Sequence, residues 1–538
     1  MKTCTICFAC SAQFEVAPEE VAFLEKMAVN VGGRKFAIPE PSECPDCRLR
    51  SRVCQRNEQY FYSATSAKSG KPLISLYSPK SPYKIVSHEE WWSEDWDGAD
   101  FGRDYDFSRP FFDQFQEMQL QVPRVSLVQI GNENCPYTTG TGYCKNCYLI
   151  NSSENCEDCF YGKLLQSSRD VMDSAYIYDS EQIYEGFNLK KCYNCRYVYY
   201  SQNCYDCSFS DNLRGCSNCF LCSNLNGKEY HFMNKSVSKE EYAVKVAEAM
   251  ADLAGTKAKF EELRRARIYK FANVLNCENS TGDFLTNCKN CTECFDANDS
   301  EDCKYVTVGV NVKDLMDCSN MYLKPELNYQ VMGTIETYNV IFSVYVFHSQ
   351  NVAYSQFCFN SKNLFGCAGL RRKEYCILNK QYSKEQYEEL LPRIIEHMKV
   401  GGEWGKFFPV SSAPFAYNDS VAHLYSPLSK EVALAKGFTW QDSEAKDYAV
   451  AGGDILACAN CRRNYKLIPQ EVKRLREIGL PDTVLCPDCR HLERMELRNP
   501  HKIYSRACGK CGASVATTFA PDRPEKIYCE ACYLAEVY

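Results

Sequence analysis

From Cys144 the chain repeats itself every twelve residues: CKNCYLINSSEN, CEDCFYGKLLQS, SRDVMDSAYIYD, SEQIYEGFNLKK, CYNCRYVYYSQN, CYDCSFSDNLRG and CSNCFLCSNLNG follow without a slip. Position 1 is Cys or Ser, position 4 is Cys, Val or Ile, and position 3 is Asn, Asp or Gln. A unit this short cannot enclose a core by itself. Its apolar positions must be buried by the units before and after it, so a short fixed period implies stacked coils. The tyrosine-rich, β-prone composition makes those coils β, and the expected fold is a β-solenoid with twelve or twenty-four residues per coil. Asn and Asp at position 3 suit a corner, because these residues tolerate left-handed backbone, and stacked they would form a side-chain ladder.

A second copy opens at Cys288 with CKNCTECFDAND and, after one extra residue near Lys324, resumes as TYNVIFSVYVFH, SQNVAYSQFCFN and SKNLFGCAGLRR. Larger landmarks recur as well: Asp170-Val-Met-Asp-Ser against Asp314-Leu-Met-Asp-Cys, and KEYHFMNK from Lys228 against KEYCILNK from Lys373.

Cysteine is the compositional extreme, at 35 of 538 residues, an odd number that cannot all pair as disulfides. The opening MKTCTICFACSAQFEV carries no apolar core of signal-peptide length, and no apolar run approaches the ~20 residues of a membrane span. The expectation is a reduced, cytoplasmic chain with no membrane partner, in which CxxC pairs ligate metal or pack. Formal net charge is −7, which does not suggest a globally basic nucleic-acid binder. Within the repeats cysteine occupies only positions 1, 4, 7 and 10, columns shared with Val, Ile, Leu and small residues. We read these as inward columns in which Cys packs as a small hydrophobe. A second reading makes Cys4 metal sites of adjacent units, from Cys144, Cys147, Cys156 and Cys159, and from Cys192, Cys195, Cys204, Cys207, Cys216 and Cys219.

The two ends match each other. Cys458, Cys461, Cys486 and Cys489 form one CxxC…CxxC set, and Cys508, Cys511, Cys529 and Cys532 form a second. This spacing folds two knuckles around a tetrahedral Zn²⁺. At an offset of 451 residues, Cys7 and Cys10 match Cys458 and Cys461; at 442, Cys44 and Cys47 match Cys486 and Cys489, the N-terminal copy having nine extra residues between. Cys7, Cys10, Cys44 and Cys47 are therefore read as ligands, with Cys4 and Cys54 spare. The same 442 offset places Ser66, Ser69, Ser87 and Glu90 where the last ribbon has its four cysteines. That stretch reads as a ribbon without zinc ligands, held by apolar residues such as Tyr77, Tyr83, Ile85 and Trp91. Three zinc ions are expected from the ribbons, with more if the repeats ligate metal.

Arginines at four-residue spacing follow each first ribbon, Arg48, Arg52 and Arg56 against Arg490, Arg494 and Arg498. On a helix they share a face. Such a stripe can meet phosphates; the alternative is a solvated face paired with local acids such as Glu493 and Glu496. Ser238-Lys-Glu-Glu and Ser383-Lys-Glu-Gln are helix starts, the first opening a helix pair with its break at Gly255. The histidines and carboxylates form no catalytic pattern.

CxxC, then a P-x-E-x segment, then CPDCR (Cys44–Arg48, Cys486–Arg490) resembles a probable-zinc-ribbon family of unknown function. The whole layout is similar to uncharacterised cysteine-rich repeat proteins of small-genome uncultivated bacteria. The resemblance covers both termini and implies zinc but no reaction.

The expected architecture is multidomain and mainly β. A ribbon at 1–60 is followed by the zinc-free ribbon at 61–95, a linker and helix at 96–131, and a first solenoid at 132–227. A helical insert at 228–273 leads to a second solenoid at 274–378, a helix at 379–402 and an irregular segment at 403–454. Ribbons at 455–498 and 499–538 close the chain. The leading functional expectation is a zinc-binding, non-catalytic binding or scaffold protein whose partner is protein or RNA, with exposed Tyr193, Tyr197 and Tyr205 as contacts. Alternatives are a thiol-rich metal store or redox buffer, and, last, a β-helix carbohydrate enzyme, for which no pair of acids is visible.

Overall fold

The structure, a computed structural model, describes residues 3–301, 303, 304, 307–310, 313–316, 319, 326–442 and 455–537. It is mainly β, with extensive parallel pairing. Among the described residues no helix is long and apolar enough to cross a membrane. The chain divides into two units, residues 1–126, 272–442 and 501–503 in one and 127–271, 443–500 and 504–538 in the other. The N-terminal ribbons thus share a unit with the second repeat array, and the C-terminal ribbons with the first.

In the unit holding the first array, parallel pairing links each residue to the one twelve further on: Ile150 to Gly162, Lys163 to Ala175, Ala175 to Phe187, Phe187 to Tyr199. One twelve-residue unit therefore lies directly on the next. The backbone turns more often than the single Asn/Asp corner suggests. Asn146, Leu149, Ser152 and Asn155 have φ of 53, 50, 52 and 53°, and left-handed residues recur at every third position through the array. Each unit has four corners, at positions 3, 6, 9 and 12, separated by three-residue sides. A left-handed residue other than glycine costs roughly 1–2 kcal/mol, and the ladder offsets this: Asn146 and Asp158 donate their N–H to Glu133 and Lys145 of the unit below. Strands Phe160–Gln166 and Tyr193–Gln202 each bend around corners and pair on two sides. With Arg169–Met172, Glu181–Tyr184, Ala175–Tyr178 and Phe187–Lys190 they close a ring of six strands.

Positions 1, 4, 7 and 10 point inward. Ile150, Leu165, Val171, Ile177, Ile183, Leu189, Val198 and Leu213 are wholly buried there, beside the cysteines. Position 3 forms the outer amide ladder, Asn134 to Asn146 at 2.9 Å and Asn194 to Asp206 at 2.6 Å. Of the tyrosines expected on the surface, Tyr193 and Tyr205 are exposed, but Tyr197 is buried, stacked on Phe209. It occupies a position 6 corner and is covered there by the second insert helix, whose Lys257 lies over its ring.

The array ends in the antiparallel pair Glu229–Phe232 and Lys235–Ser236, then helices Lys239–Ala251 and Leu253–Ala266. Ser238 caps the first helix as expected, but the break falls at Asp252, which accepts the Gly255 N–H and so starts the second helix there; Gly255 lies inside that helix rather than at the break.

In the other unit the second array repeats this design, Tyr338 pairing Gln350 and Gln350 pairing Lys362. Lys313 pairs Glu326, a step of thirteen, which accounts for the extra residue; the residue itself, near Lys324, lies outside the described residues. Its last strands, Glu374–Ile377 and Lys380–Gln381, lead into helix Lys384–Val400, capped by Ser383. Helix Phe111–Gln119 in this unit starts at Pro110, and Glu403 accepts the N–H groups of Phe111 and Phe112 with its two oxygens. The segment after residue 402, expected to be irregular, carries two short helices among its described residues, Val421–Tyr425 and Lys430–Ala435; residues 443–454 lie outside the described residues.

Candidate metal centres

Each ribbon begins with a hairpin whose turn is the first CxxC. Thr3–Ile6 pairs Gln13–Val16, Ile455–Ala457 pairs Asn464–Lys466, and Tyr504–Ala507 pairs Ser514–Thr517. The turn is the same each time: the first Cys N–H bonds the carbonyl five residues on (Ala12, Arg463, Ala513), and the residue four on returns its N–H to the Cys carbonyl. That returning residue, Ser11, Arg462 or Gly512, has φ of 59, 61 or 75°. The second CxxC starts at a helix N-terminus. Cys44 and Cys486 are the N-cap residues of Pro45–Val53 and Pro487–Met495, and Cys529 precedes Glu530–Val537. The helix dipole there favours negative sulfur.

The two halves bring the four sulfurs together. In Cys7/Cys10/Cys44/Cys47, Cys458/Cys461/Cys486/Cys489 and Cys508/Cys511/Cys529/Cys532 all ligand atoms lie within 4.8 Å of one another. Cys10 and Cys44 sulfurs are 3.7 Å apart, Cys461 and Cys486 3.6 Å, and Cys511 and Cys529 3.7 Å. A regular tetrahedron with metal–sulfur bonds of ~2.3 Å has edges of ~3.8 Å, so the donor sets fit a four-coordinate metal ion. Backbone N–H groups aim at the sulfurs as well, Cys44 to Cys7 at 3.2 Å, Cys486 to Cys458 at 3.3 Å and Cys529 to Cys508 at 3.3 Å. At Cys458 and Cys508 burial opposes ionisation, but backbone N–H donors, led by Cys486 at Cys458 and by Cys511 at Cys508, outweigh it and both thiols come down to about 6. Cys4 and Cys54 stand apart from the quartets. Cys4 is exposed, and burial pushes the Cys54 thiol up to about 12.

The zinc-free ribbon has the same skeleton. Tyr62 pairs Ser75 and Thr65 pairs Pro72, the register of Tyr504 with Thr517 and Ala507 with Ser514. Its turn also repeats, Ser66 N–H to Lys71 O and Gly70 N–H to Ser66 O. Where the metal would sit, Ser66 Oγ donates to Glu90 Oε2 at 2.5 Å, and the Ser87 N–H donates to the same oxygen at 2.9 Å. The Ser66 and Ser69 hydroxyls, then the Ser87 N–H and nearby Lys68, bring the Glu90 carboxyl down to about 2. A carboxyl lowered on folding contributes stability above its unfolded value of ~4.3 and loses it as pH falls toward 2. One carboxylate with its hydrogen bonds thus joins the two halves that a cysteine quartet joins in the other ribbons. Converting Ser66, Ser69, Ser87 and Glu90 together to cysteine is expected to add one bound metal ion per chain, read by elemental analysis; an unchanged metal content would refute the equivalence of the two skeletons.

The ten array cysteines, Cys144, Cys147, Cys156, Cys159, Cys192, Cys195, Cys204, Cys207, Cys216 and Cys219, are not gathered into such a group. Their thiols face one another, Cys144 and Cys159 each meeting Cys147 and Cys156, and they also serve the backbone. Cys156 donates to Glu154 O and Leu165 O, both at 3.3 Å, and Cys144 and Cys216 repeat the pattern. Serines in the same columns donate likewise to the carbonyl two residues back, as Ser153 does to Asn151 O at 2.8 Å. In the second array, burial pushes Cys358 up to about 12.

The arginine stripes also face protein. Arg490 and Arg494 are buried and bind Asp173 of the first array at 2.5 and 2.9 Å; Arg490 reaches Glu471 at 2.8 Å, and Tyr161 donates to Glu471 at 2.6 Å. Arg498 lies 4.5 Å over the Tyr176 ring. Arg48, Arg52 and Arg56 are 1, 0 and 5% exposed, with Arg48 donating to Glu43 O and Arg56 paired to Glu58 at 2.6 Å. Five of these six side chains are buried and Arg498 is half-buried against Tyr176, so the stripes present little solvent face to phosphates, and Arg490 and Arg494 do not pair with neighbours in sequence. Arg490, Arg494 and Arg498 seat the helix Pro487–Met495 and its end on the array.

No protein-family model, curated protein or solved structure matches the chain.

Proposed function

We propose that the chain is a zinc-binding, non-catalytic scaffold: two twelve-residue β-solenoids that carry ribbons on their sides and present ribbon and coil surfaces to a macromolecular partner, in a reduced compartment such as the cytoplasm. The observation that carries this reading is the sulfur geometry, three quartets whose sulfurs all lie within 4.8 Å of one another, with one edge in each of 3.6–3.7 Å, which suits Zn²⁺ in closed structural sites with no open position for substrate. The family resemblance of the CPDCR segments supports zinc in particular. Elemental analysis of purified chain is expected to give three zinc ions and no iron. A store of soft metal in the arrays would raise the content to six or more, and the thiol-to-carbonyl bonding of the array cysteines speaks against it.

A further inference from the structure

The first C-terminal ribbon and its N-terminal twin share one skeleton but opposite charge. Residues 462–477 contain six basic and two acidic residues; the matching 11–26 contain one and four. Lys466, Lys473 and Arg476 stand where the twin has Glu15, Ala22 and Glu25. The twin forms the same hairpin and the same nine-residue helix, Pro18–Lys26 against Pro469–Glu477, so the ribbon fold does not need these cations. They are exposed, and they line a cleft of about 610 Å³ with Leu467, Pro469 and Val472. Lys473 and Arg476 are one helical turn apart, ~5–6 Å between Cβ atoms, and Arg462 and Arg463 extend the exposed positive surface along the knuckle. The carboxylate in the cleft, Glu477, lies 3.8 Å from Lys473 and 3.6 Å from Arg474, exposed pairings that contribute little.

We propose that this cleft binds the phosphate backbone of single-stranded RNA, and this rests on the scaffold reading above. Three cations with about one helical turn between two of them match successive phosphates on a flexible strand. The apolar cleft residues Leu467, Pro469 and Val472 give ribose and base faces a surface to pack on. The cleft has no aromatic platform or amide pair of the kind that reads base edges, so binding is independent of sequence and driven by counterion release.

The test uses the full zinc-loaded chain and a fluorescent twelve-nucleotide poly(U). Binding is expected at 50 mM salt, with log K falling against log salt with a slope of about −2, the value for three neutralised phosphates on a single strand. Exchanging the three cations for the twin's residues, Lys466→Glu, Lys473→Ala and Arg476→Glu, is expected to weaken binding at least about tenfold and flatten that slope, with zinc content unchanged. No binding at low salt, or binding that survives the exchange, overturns the proposal. So does equal competition by a poly-glutamate peptide, which would make the partner an acidic protein. A wild-type zinc content other than three would instead count against the scaffold reading, whatever the RNA result.

Discussion

Serine in place of Cys486 is expected to unfold the ribbon at 455–498 and lower the bound zinc from three ions per chain to two. Cys486 is at once one of four sulfurs placed to hold a metal ion and the N-cap residue of helix Pro487–Met495. The ribbon it anchors has a small core, in which Tyr465, Leu456, Leu467 and Leu485 surround the cysteines. A structural zinc supplies roughly 10–16 kcal/mol in modules of this kind, far more than such a core can provide. Elemental analysis and amide hydrogen exchange across 455–498 read the two consequences separately. Cys4→Ser, at an exposed cysteine outside the quartets, is the matched control and should leave three zinc ions and full protection. Retention of three zinc ions by the Cys486 variant would contradict the assignment.

Alanine at Asp173 is expected to be the most damaging single change outside the metal sites, by roughly 3–5 kcal/mol. Its carboxylate is fully buried between Arg490 and Arg494, and its loss leaves two guanidinium groups in an apolar setting with fewer partners. Arg490 keeps Glu471 at 2.8 Å, and Arg494 keeps Glu185 at 3.8 Å. All five tryptophans, at 91, 92, 96, 404 and 440, belong to the unit containing the N-terminal ribbons. Tryptophan emission therefore follows that unit alone, while amide exchange at residues 160–200 follows the array that carries Asp173. In urea, exchange protection there should be lost at lower denaturant in Asp173→Ala, with the emission midpoint of the other unit unmoved. Adding Arg494→Met should recover part of the loss, since it removes one stranded charge. An Asp173→Ala chain as stable as its parent would refute the role given to the buried pair.

How far the sequence reveals this molecule depends on whether a feature is fixed locally. The metal quartets are legible because four thiolates must meet one ion, which constrains spacing within a few dozen residues. The ribbon with Ser66, Ser69, Ser87 and Glu90 is legible only through its alignment to a four-cysteine twin, since nothing in that stretch alone names its fold. The inward columns are legible because Cys exchanges there with Val, Ile and Leu. The corners are half legible. Asn and Asp at position 3 announce left-handed backbone, but at positions 6 and 9 the same geometry is held by Leu149, Tyr161, Tyr176 and Phe209, which have no such preference and adopt it because the ladder imposes it. The arginine stripe is misleading for a related reason. Its spacing shows a shared helix face, but the carboxylate it meets lies 317 residues away, and no local pattern points to it.

The pairing of the last ribbons with the first array also sets a timetable for synthesis. Tyr161 and the Glu471 it binds are separated by 310 residues. At ~5–20 residues per second a ribosome needs roughly 15–60 s to cover that interval, during which the coils around Asp173 have left the tunnel but their covering helix does not yet exist. Until the ribbon helix emerges and folds on its cysteines, Asp173 and Tyr161 of the array stay without the arginines and glutamate that cover them.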